Sequence, residues 1–338
     1  MMNGKKYREG LRVLFAEPNL THTSPVTTLS HAIKKAGGNT HFVDFTAIST
    51  LELIRLYLKV DVLVIQFYGV IDSYARKQIA LATLLGVAVI RNWAGTDVLK
   101  SLTEKKVRFS TIDVNNLISL NITDNHQGLV EELSSIGIDC ILTPKVIDYK
   151  GFNMPNRLMT KAESALVYLP ASNREFYGSK CIENLIIKFP QLKFIIIADE
   201  EHVFGKYPNV ESMGWVKDME AVWNKSGVLI RITKHDGYPR MCLEAFSRGK
   251  YVIHNNKFEG VWFAKTDNEI ENAVQHFIDK SEPNHDGVKV AKKALNSGRE
   301  KKLYMLYSEA SVGIAQWVSA LKEIYQYYVG KETRYESE

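Results

Sequence analysis

Asp236 and Glu244 stand eight residues apart, with Arg231, Lys234, His235 and Arg240 around them. Two carboxylates so placed can hold sugar hydroxyls, and the cations can meet a phosphate. The elements that would position them are legible nearby. Val228 to Ile232 is a short apolar run rich in β-branched residues, which suits a strand buried on both faces of a parallel sheet. Charge begins where that strand ends. Asp236-Gly237 makes a turn, Pro239 is pre-set for a first helical position, and Met241, Leu243, Ala245 and Phe246 continue as a buried helix. The unpaired amides of Arg240, Met241 and Cys242 would then lie at the positive end of a helix dipole, ready for an anion. In the plainer alternative Asp236 only caps the helix and Glu244 is a solvated surface acid.

The succession of strand, His235-Asp236-Gly237-Tyr238-Pro239 turn and Glu244-Ala245-Phe246 helix resembles the acidic-x7-acidic motif of retaining GT-B glycosyltransferases of the family 4 type. Their usual first acid is Glu; Asp236 is one methylene shorter. The resemblance implies transfer of a sugar, with retention, from a nucleotide-diphosphate sugar to an acceptor hydroxyl. No cofactor or metal is then required, and the leaving phosphate takes the acceptor's proton. It further implies that Glu244 binds the ribose, Asp236 the transferred sugar, and the backbone from Gly237 to Met241 the sugar and phosphates. Lys234, His235, Tyr238 and Arg240 line the donor. Arg231, Arg174 and Lys180 supply positive charge for the leaving diphosphate, the kind of stabilisation that dominates such chemistry.

Three further segments carry the resemblance more thinly. Ile90 to Trp93 runs as a strand into Ala94-Gly95-Thr96-Asp97, where family members often show His-Gly-Thr-Asp; Gly95, Thr96 and Asp97 would lie on the acceptor side. Ala94 removes the family's hydrogen-bonding side chain, and a cap at Asp97 with a turn at Gly95 explains the same letters. Between Glu17 and Pro25 the usual Gly-Gly loop is replaced by a stretch holding His22, Thr23 and Ser24. Met213-Gly214-Trp215-Val216 is similar to a Gly-x-Val step at which backbone groups read the base, so Gly214 and Val216 join the donor residues; an ordinary turn before a helix fits nearly as well.

The chain of 338 residues is long enough for two domains, and 45% hydrophobic with 24% charged residues describes a globular protein. Strand and helix signals alternate in two blocks around a hinge at 150–161, the pattern of an α/β fold with parallel sheets. The resemblance implies two Rossmann-like domains facing a central cleft, with the C-terminal helix crossing back. The expected bounds are 1–155 for the acceptor domain, 156–305 for the nucleotide-sugar domain and 306–338 for the returning helix. Strands are expected near Leu117–Leu120 among others, and a terminal helix over Lys301–Tyr328. No apolar run approaches the roughly 20 residues that span a bilayer, and Met1 to Arg8 lacks a following apolar stretch, so a cytoplasmic location is expected. Cys140, Cys181 and Cys242 suit reduced thiols better than disulfides or a metal site. The net charge of +5 falls short of a nucleic-acid footprint but suits anionic small molecules or a peripheral membrane position. The implied partners are a nucleotide sugar and an acceptor glycan, lipid-linked or small. The alternatives are a catalytically silent GT-B-like binding subunit, motivated by Ala94, and a nucleotide-sugar epimerase.

Overall fold

Val62–Ile65 reads Val-Leu-Val-Ile, and all four side chains are buried. Such a run, rich in β-branched residues, suits a strand covered on both faces, and its neighbours repeat the pattern. Residues 10–17, 25–66, 73–145, 154, 162–295, 298–311, 321, 324 and 327 are described in the computed structural model. The chain divides into two units, Met1–Asp148 with Ser297–Glu338, and Tyr149–Asn296.

In the first unit the strands are β1 (Arg12–Ala16), β2 (Asn39–Val43), β3 (Val62–Ile65), β4 (Ala88–Trp93), β5 (Leu120–Thr123) and β6 (Ile141–Leu142). They pair in the order β2-β1-β3-β4-β5-β6, parallel throughout. The direction of winding reverses between β1 and β3, which is the switch point where open α/β sheets take ligands. Alternation along β1 sends Leu14 and Ala16 to one apolar layer and Val13 and Phe15 to the other. The first layer is closed by α2 (Thr50–Tyr57), α3 (Ser73–Leu84) and the end of α5 (Lys105–Asn115). The second is closed by α1 (Pro25–Lys35) and α12 (Arg299–Ala310), whose Leu303, Tyr304 and Tyr307 are buried against β1, β3 and β4. Residues from 297 onward thus belong with the first unit.

In the second unit β7 (Ser164–Tyr168), β8 (Lys193–Ile197), β9 (Val210–Ser212), β10 (Val228–Arg231), β11 (Tyr251–His254) and β12 (Trp262–Phe263) pair in the order β12-β11-β10-β7-β8-β9, again all parallel. The switch point falls between β7 and β10. Helices α7 (Ser179–Lys188), α8 (Met219–Lys225), α9 (Arg240–Ser247), α10 (Asp267–Ile278) and α11 (His285–Leu295) cover the sheet. Gly227, just before β10, admits no side chain: an added Cβ would lie 1.8 Å from the Ala162 carbonyl oxygen.

Several expectations shift. The apolar run Leu117–Leu120 is not a strand at its start: the Leu117 and Ile118 amides bond back to Val114 and Asn115, closing α5, and the strand begins at Leu120. Pro239 is the residue before α9, not its first, since its ψ of 140° is extended. The expected helix over Lys301–Tyr328 is described as α12 ending at Ala310, with a turn at Ser311. Ile314, Trp317, His22, Thr23, Ser24 and all of the hinge except Met154 lie outside the described residues. Among the described residues no helix is long and apolar enough to cross a membrane.

Ala198, at the end of β8, adopts φ 63°, a left-handed conformation that L side chains resist. Hydrogen bonds hold it there, its amide donating to the Gly214 carbonyl and its carbonyl accepting from the Ala171 amide. Ala198→Gly should therefore stabilise the protein by about 1 kcal/mol, read as a higher urea midpoint. An unchanged or lower midpoint would show that the position carries no strain.

Candidate functional site

The last residues of β7, β10 and β11 share one register row. Arg231 pairs with His254, and Tyr168 lies on the other side of Arg231. The three lie at the carboxyl edge, beside the switch point. The Arg231 Nε donates to Asp236 Oδ2 at 2.6 Å, and the guanidinium carbon lies 5.5 and 5.3 Å from the rings of Tyr168 and Tyr177. His254 is fully buried with Nε2 3.8 Å from the same carboxylate oxygen. The Gly237 amide donates to Asp236 Oδ1 at 2.9 Å, and the Asn256 side-chain amide donates to the Asp236 carbonyl oxygen at 2.9 Å. Burial by itself would raise the Asp236 pKa; the nearby His254 ring and the hydrogen bond and charge of Arg231 outweigh it and hold the carboxyl below its ordinary 3.8. The turn after β10 is thus fixed by a largely buried ion pair.

That turn delivers the chain into α9. No side chain caps this helix, and the Cys242 amide turns back onto the Pro239 carbonyl. The Arg240 and Met241 amides are therefore those best placed for an anion, at the positive end of the helix. The ring of Tyr238 packs on Phe258 at 4.4 Å, which seats the turn. At the far end Arg248 is buried, donates through Nη1 to the Glu244 carbonyl at 3.0 Å and pairs with Glu220 of α8, fixing the axis of α9.

Glu244 lies on the second turn of α9 with its side chain 23% exposed and its carboxylate 3.7 Å from Arg240. Burial raises its pKa above the usual 4.5 despite the nearby Arg240 and Arg248. This is not a solvated surface acid. Lys234 and Arg240 are exposed, whereas His235 and Tyr238 are half-buried beside them.

The loop after β7 is locked to the loop after β10. Gly178 (φ 69°) approaches so closely that a Cβ would lie 3.0 Å from the Ile232 carbonyl oxygen, and the Lys234 amide donates to the Phe176 carbonyl at 2.8 Å. Lys180 is exposed on the first turn of α7. Arg174 is committed elsewhere: it pairs with Asp199, wholly buried, at 2.7 Å and with Glu201 at 2.9 Å. Asp199 Oδ2 in turn accepts from Ser212 at 3.1 Å. This network braces the Gly214 loop, on which Val216 is half-buried and Trp215 is 79% exposed.

In the first unit Gly95 and Thr96 lie at the surface, at the start of α4 (Gly95–Thr103), while Asp97 is 5% exposed. Its carboxylate accepts from the Ala94 and Val98 amides at 3.0 Å each, so Asp97 closes the helix start. Burial raises its pKa, and Arg91, stacked on Trp93, opposes that rise. Among the described residues no group of His, Cys, Asp and Glu is arranged to hold a metal ion.

His254, Asn256, Tyr168, Tyr177 and Asp199 were not anticipated. A histidine ending a strand, followed by Asn255-Asn256, was the available signal.

No family model matches the sequence, and no curated protein matches it. Solved structures do. Anabaena HepE in complex with UDP is 9% identical, with 96% of this chain and 100% of that chain covered and a TM-score of 0.56. The lipopolysaccharide outer core galactosyltransferase WaaB in its apo form is 13% identical over 95% of this chain and 100% of that one, with a TM-score of 0.54. S. aureus TarM, in complex with fondaparinux, α-GlcNAc-glycerol and UDP, is 9% identical with a TM-score of 0.54; 77% of this chain is covered but only 58% of TarM. The fold is GT-B.

Two electrostatic predictions follow from this edge. Asp236→Asn leaves Arg231 buried without its counter-charge, so stability should fall by about 3 kcal/mol at neutral pH. Because the folded Asp236 pKa is depressed, its contribution is present above 3.8 and lost as pH falls through the lower folded value. Denaturation curves of variant and wild type should therefore converge at strongly acid pH; a gap that does not change with pH would refute the pairing. Glu244 behaves oppositely. Its folded pKa is raised, so wild-type stability declines as pH rises from 4.5 through the folded value. Glu244→Gln should be more stable than wild type at neutral pH and equal to it below pH 4.5, measured by urea denaturation at both.

Proposed function

We propose that this chain is a retaining glycosyltransferase that moves a sugar from a nucleotide-diphosphate sugar to an acceptor hydroxyl. The observation that carries the reading is the uncapped start of α9 at the carboxyl edge of β10, with a half-buried Glu244 on one side and the Arg231–Asp236 pair on the other. An anion at the Arg240 and Met241 amides meets the helix dipole, with exposed Lys234 and Arg240 adding charge. Glu244, desolvated and kept despite its cost to the fold, binds the ribose hydroxyls. Asp236 has its Oδ2 engaged by Arg231 and its Oδ1 by Gly237, and uses its remaining lone pairs for the transferred sugar. Arg231 and Lys180 stabilise charge on the leaving diphosphate. Arg174 contributes by bracing the Gly214 loop through Asp199 and Glu201. Helix dipole and cations supply the charge that a metal supplies in other transferases, and the leaving phosphate takes the acceptor's proton.

HepE and TarM of the same fold were solved with UDP, which makes UDP sugars the first donors to try. Incubation with a panel of nucleotide sugars should release nucleoside diphosphate slowly without acceptor, in EDTA as well as without it. Glu244→Ala should weaken donor affinity about tenfold or more, the loss of a charge-assisted hydrogen bond of roughly 1.5–3 kcal/mol. No release from any donor would leave the silent binding subunit, a sugar altered without release would make the chain an epimerase, and unchanged affinity in the variant would remove Glu244 from the site.

A further inference from the structure

Among the described residues Trp215 is the most open of the large apolar side chains, and it stands on a loop that is held at both ends. The Met213 amide donates to the Ile196 carbonyl at 2.7 Å, the Ala198 amide to the Gly214 carbonyl at 2.9 Å and the Asp199 amide to the Met213 carbonyl at 3.1 Å. The chain is therefore tied to the neighbouring strand up to the residue before Trp215. Three residues after it, the Asp218 side chain caps α8 by accepting from the Glu220 amide at 3.0 Å. A single exposed apolar side chain is ordinary. What sets this one apart is its place. Ile230 pairs with Val167, Val167 with Ile196 and Ile196 with Ser212, so Trp215 lies just past the same carboxyl edge as Arg231, three strands from β10. Three interstrand spacings amount to about 14 Å. From there the loop returns toward α9: Glu220 on the first turn of α8 pairs with Arg248, whose guanidinium also donates to the Glu244 carbonyl and lies 5.8 Å from the Trp223 ring. The segment from Gly214 to Asp218 thus runs from the far side of the edge to the flank of α9 beside Glu244.

We propose that the Trp215 indole is the platform on which the base of a nucleoside diphosphate stacks, an inference that rests on the nucleotide-sugar reading of this edge. With phosphate at the Arg240 and Met241 amides and ribose at Glu244, a nucleotide laid along α9 carries its base out to this segment. The base is flat and has an apolar face, and so has the indole; stacking takes both faces out of water. Because the loop is already held, little ordering free energy is taken from binding. Every base has such a face, so the platform accepts purines and pyrimidines alike. Trp215 therefore supplies affinity for the base, and the choice among bases falls to whatever groups meet the edge of the ring.

The test is iodide quenching of tryptophan fluorescence on the full chain, with UDP, CDP, ADP and GDP as probes and inorganic pyrophosphate as the probe that has no base. Trp93 and Trp223 are buried, and the difference between wild type and Trp215→Phe isolates the Trp215 signal. A saturating nucleoside diphosphate should cut iodide access to Trp215 by about threefold or more, whereas pyrophosphate should leave it unchanged. By calorimetry, Trp215→Leu should bind the tightest of the four nucleotides about fivefold or more weakly than wild type, with Trp215→Phe in between and pyrophosphate affinity unaltered. Where pyrophosphate binds too weakly to measure, iodide shielding decides. The platform is overturned if a nucleotide binds with Trp215 as open to iodide as before, or if Trp215→Leu weakens pyrophosphate as much as it weakens the nucleotide. It is overturned too if iodide access falls with protein concentration alone, the mark of a surface for a second copy of the chain. A nucleotide that binds without shielding Trp215 leaves the glycosyltransferase reading standing; no binding of any nucleotide removes both.

Discussion

Everything at the candidate site depends on the largely buried pair of Arg231 and Asp236. Parallel strands all end on one edge, and there the chain must change from apolar burial to polar turns within a residue or two. In β10 the change happens at Arg231, whose charge is already between layers when the strand stops. The pair solves that problem locally, since Asp236 follows five residues later and turns back onto the guanidinium. Tyr168, Tyr177 and His254 close around it from β7, its following loop and β11. The direction in which α9 leaves the turn is set by this contact, and with it the aim of the Arg240 and Met241 amides.

A fixed turn has a chemical consequence. An anion-binding helix start works best when its amides need no rearrangement to meet their ligand, because no ordering free energy is then taken from binding. The same holds for the braced loops nearby. Gly178 locks the loop after β7 against Ile232, and Asp199 ties Arg174 to the Gly214 loop through Ser212. Arg174 is thus a cation whose charge is largely neutralised at home, while Lys180, Lys234 and Arg240 remain exposed. Sequence spacing cannot separate those two kinds of cation.

The legible parts were those written in consecutive residues. The run into β10, the Asp236-Gly237 turn and the apolar face of α9 were visible because each depends on neighbours a few positions away. The two sheets were visible for the same reason. The partners of Asp236 were not, because His254 reaches it through strand register, which no local pattern encodes. Leu117 and Ile118 misled because an apolar pair closing a helix looks like the start of a strand. Of the helices not anticipated, α2 and α10 carried a signal in the sequence: Ser49 with Glu52 opens α2, and Thr266 with Glu269 opens α10, both as reciprocal caps. At Asp97 the letters fitted both a cap and a site residue. Only burial shows that its carboxylate closes α4.

The two carboxyl edges differ in a way that suits a two-substrate protein. Each sheet ends its central strands in a polar row beside the switch point: Tyr168, Arg231 and His254 in one, Glu17, Gln66 and Asn92 in the other. The first row holds the Arg231–Asp236 pair and stands beside an uncapped helix start, whose amides and dipole favour a ligand with phosphate charge. The second is a buried row of two side-chain amides and a carboxylate, with no cation among its three members. On the glycosyltransferase reading, the phosphates of the donor therefore belong at the first of these rows. On that reading the cost falls at Glu244, where a carboxylate that the fold would rather protonate is kept for a ribose.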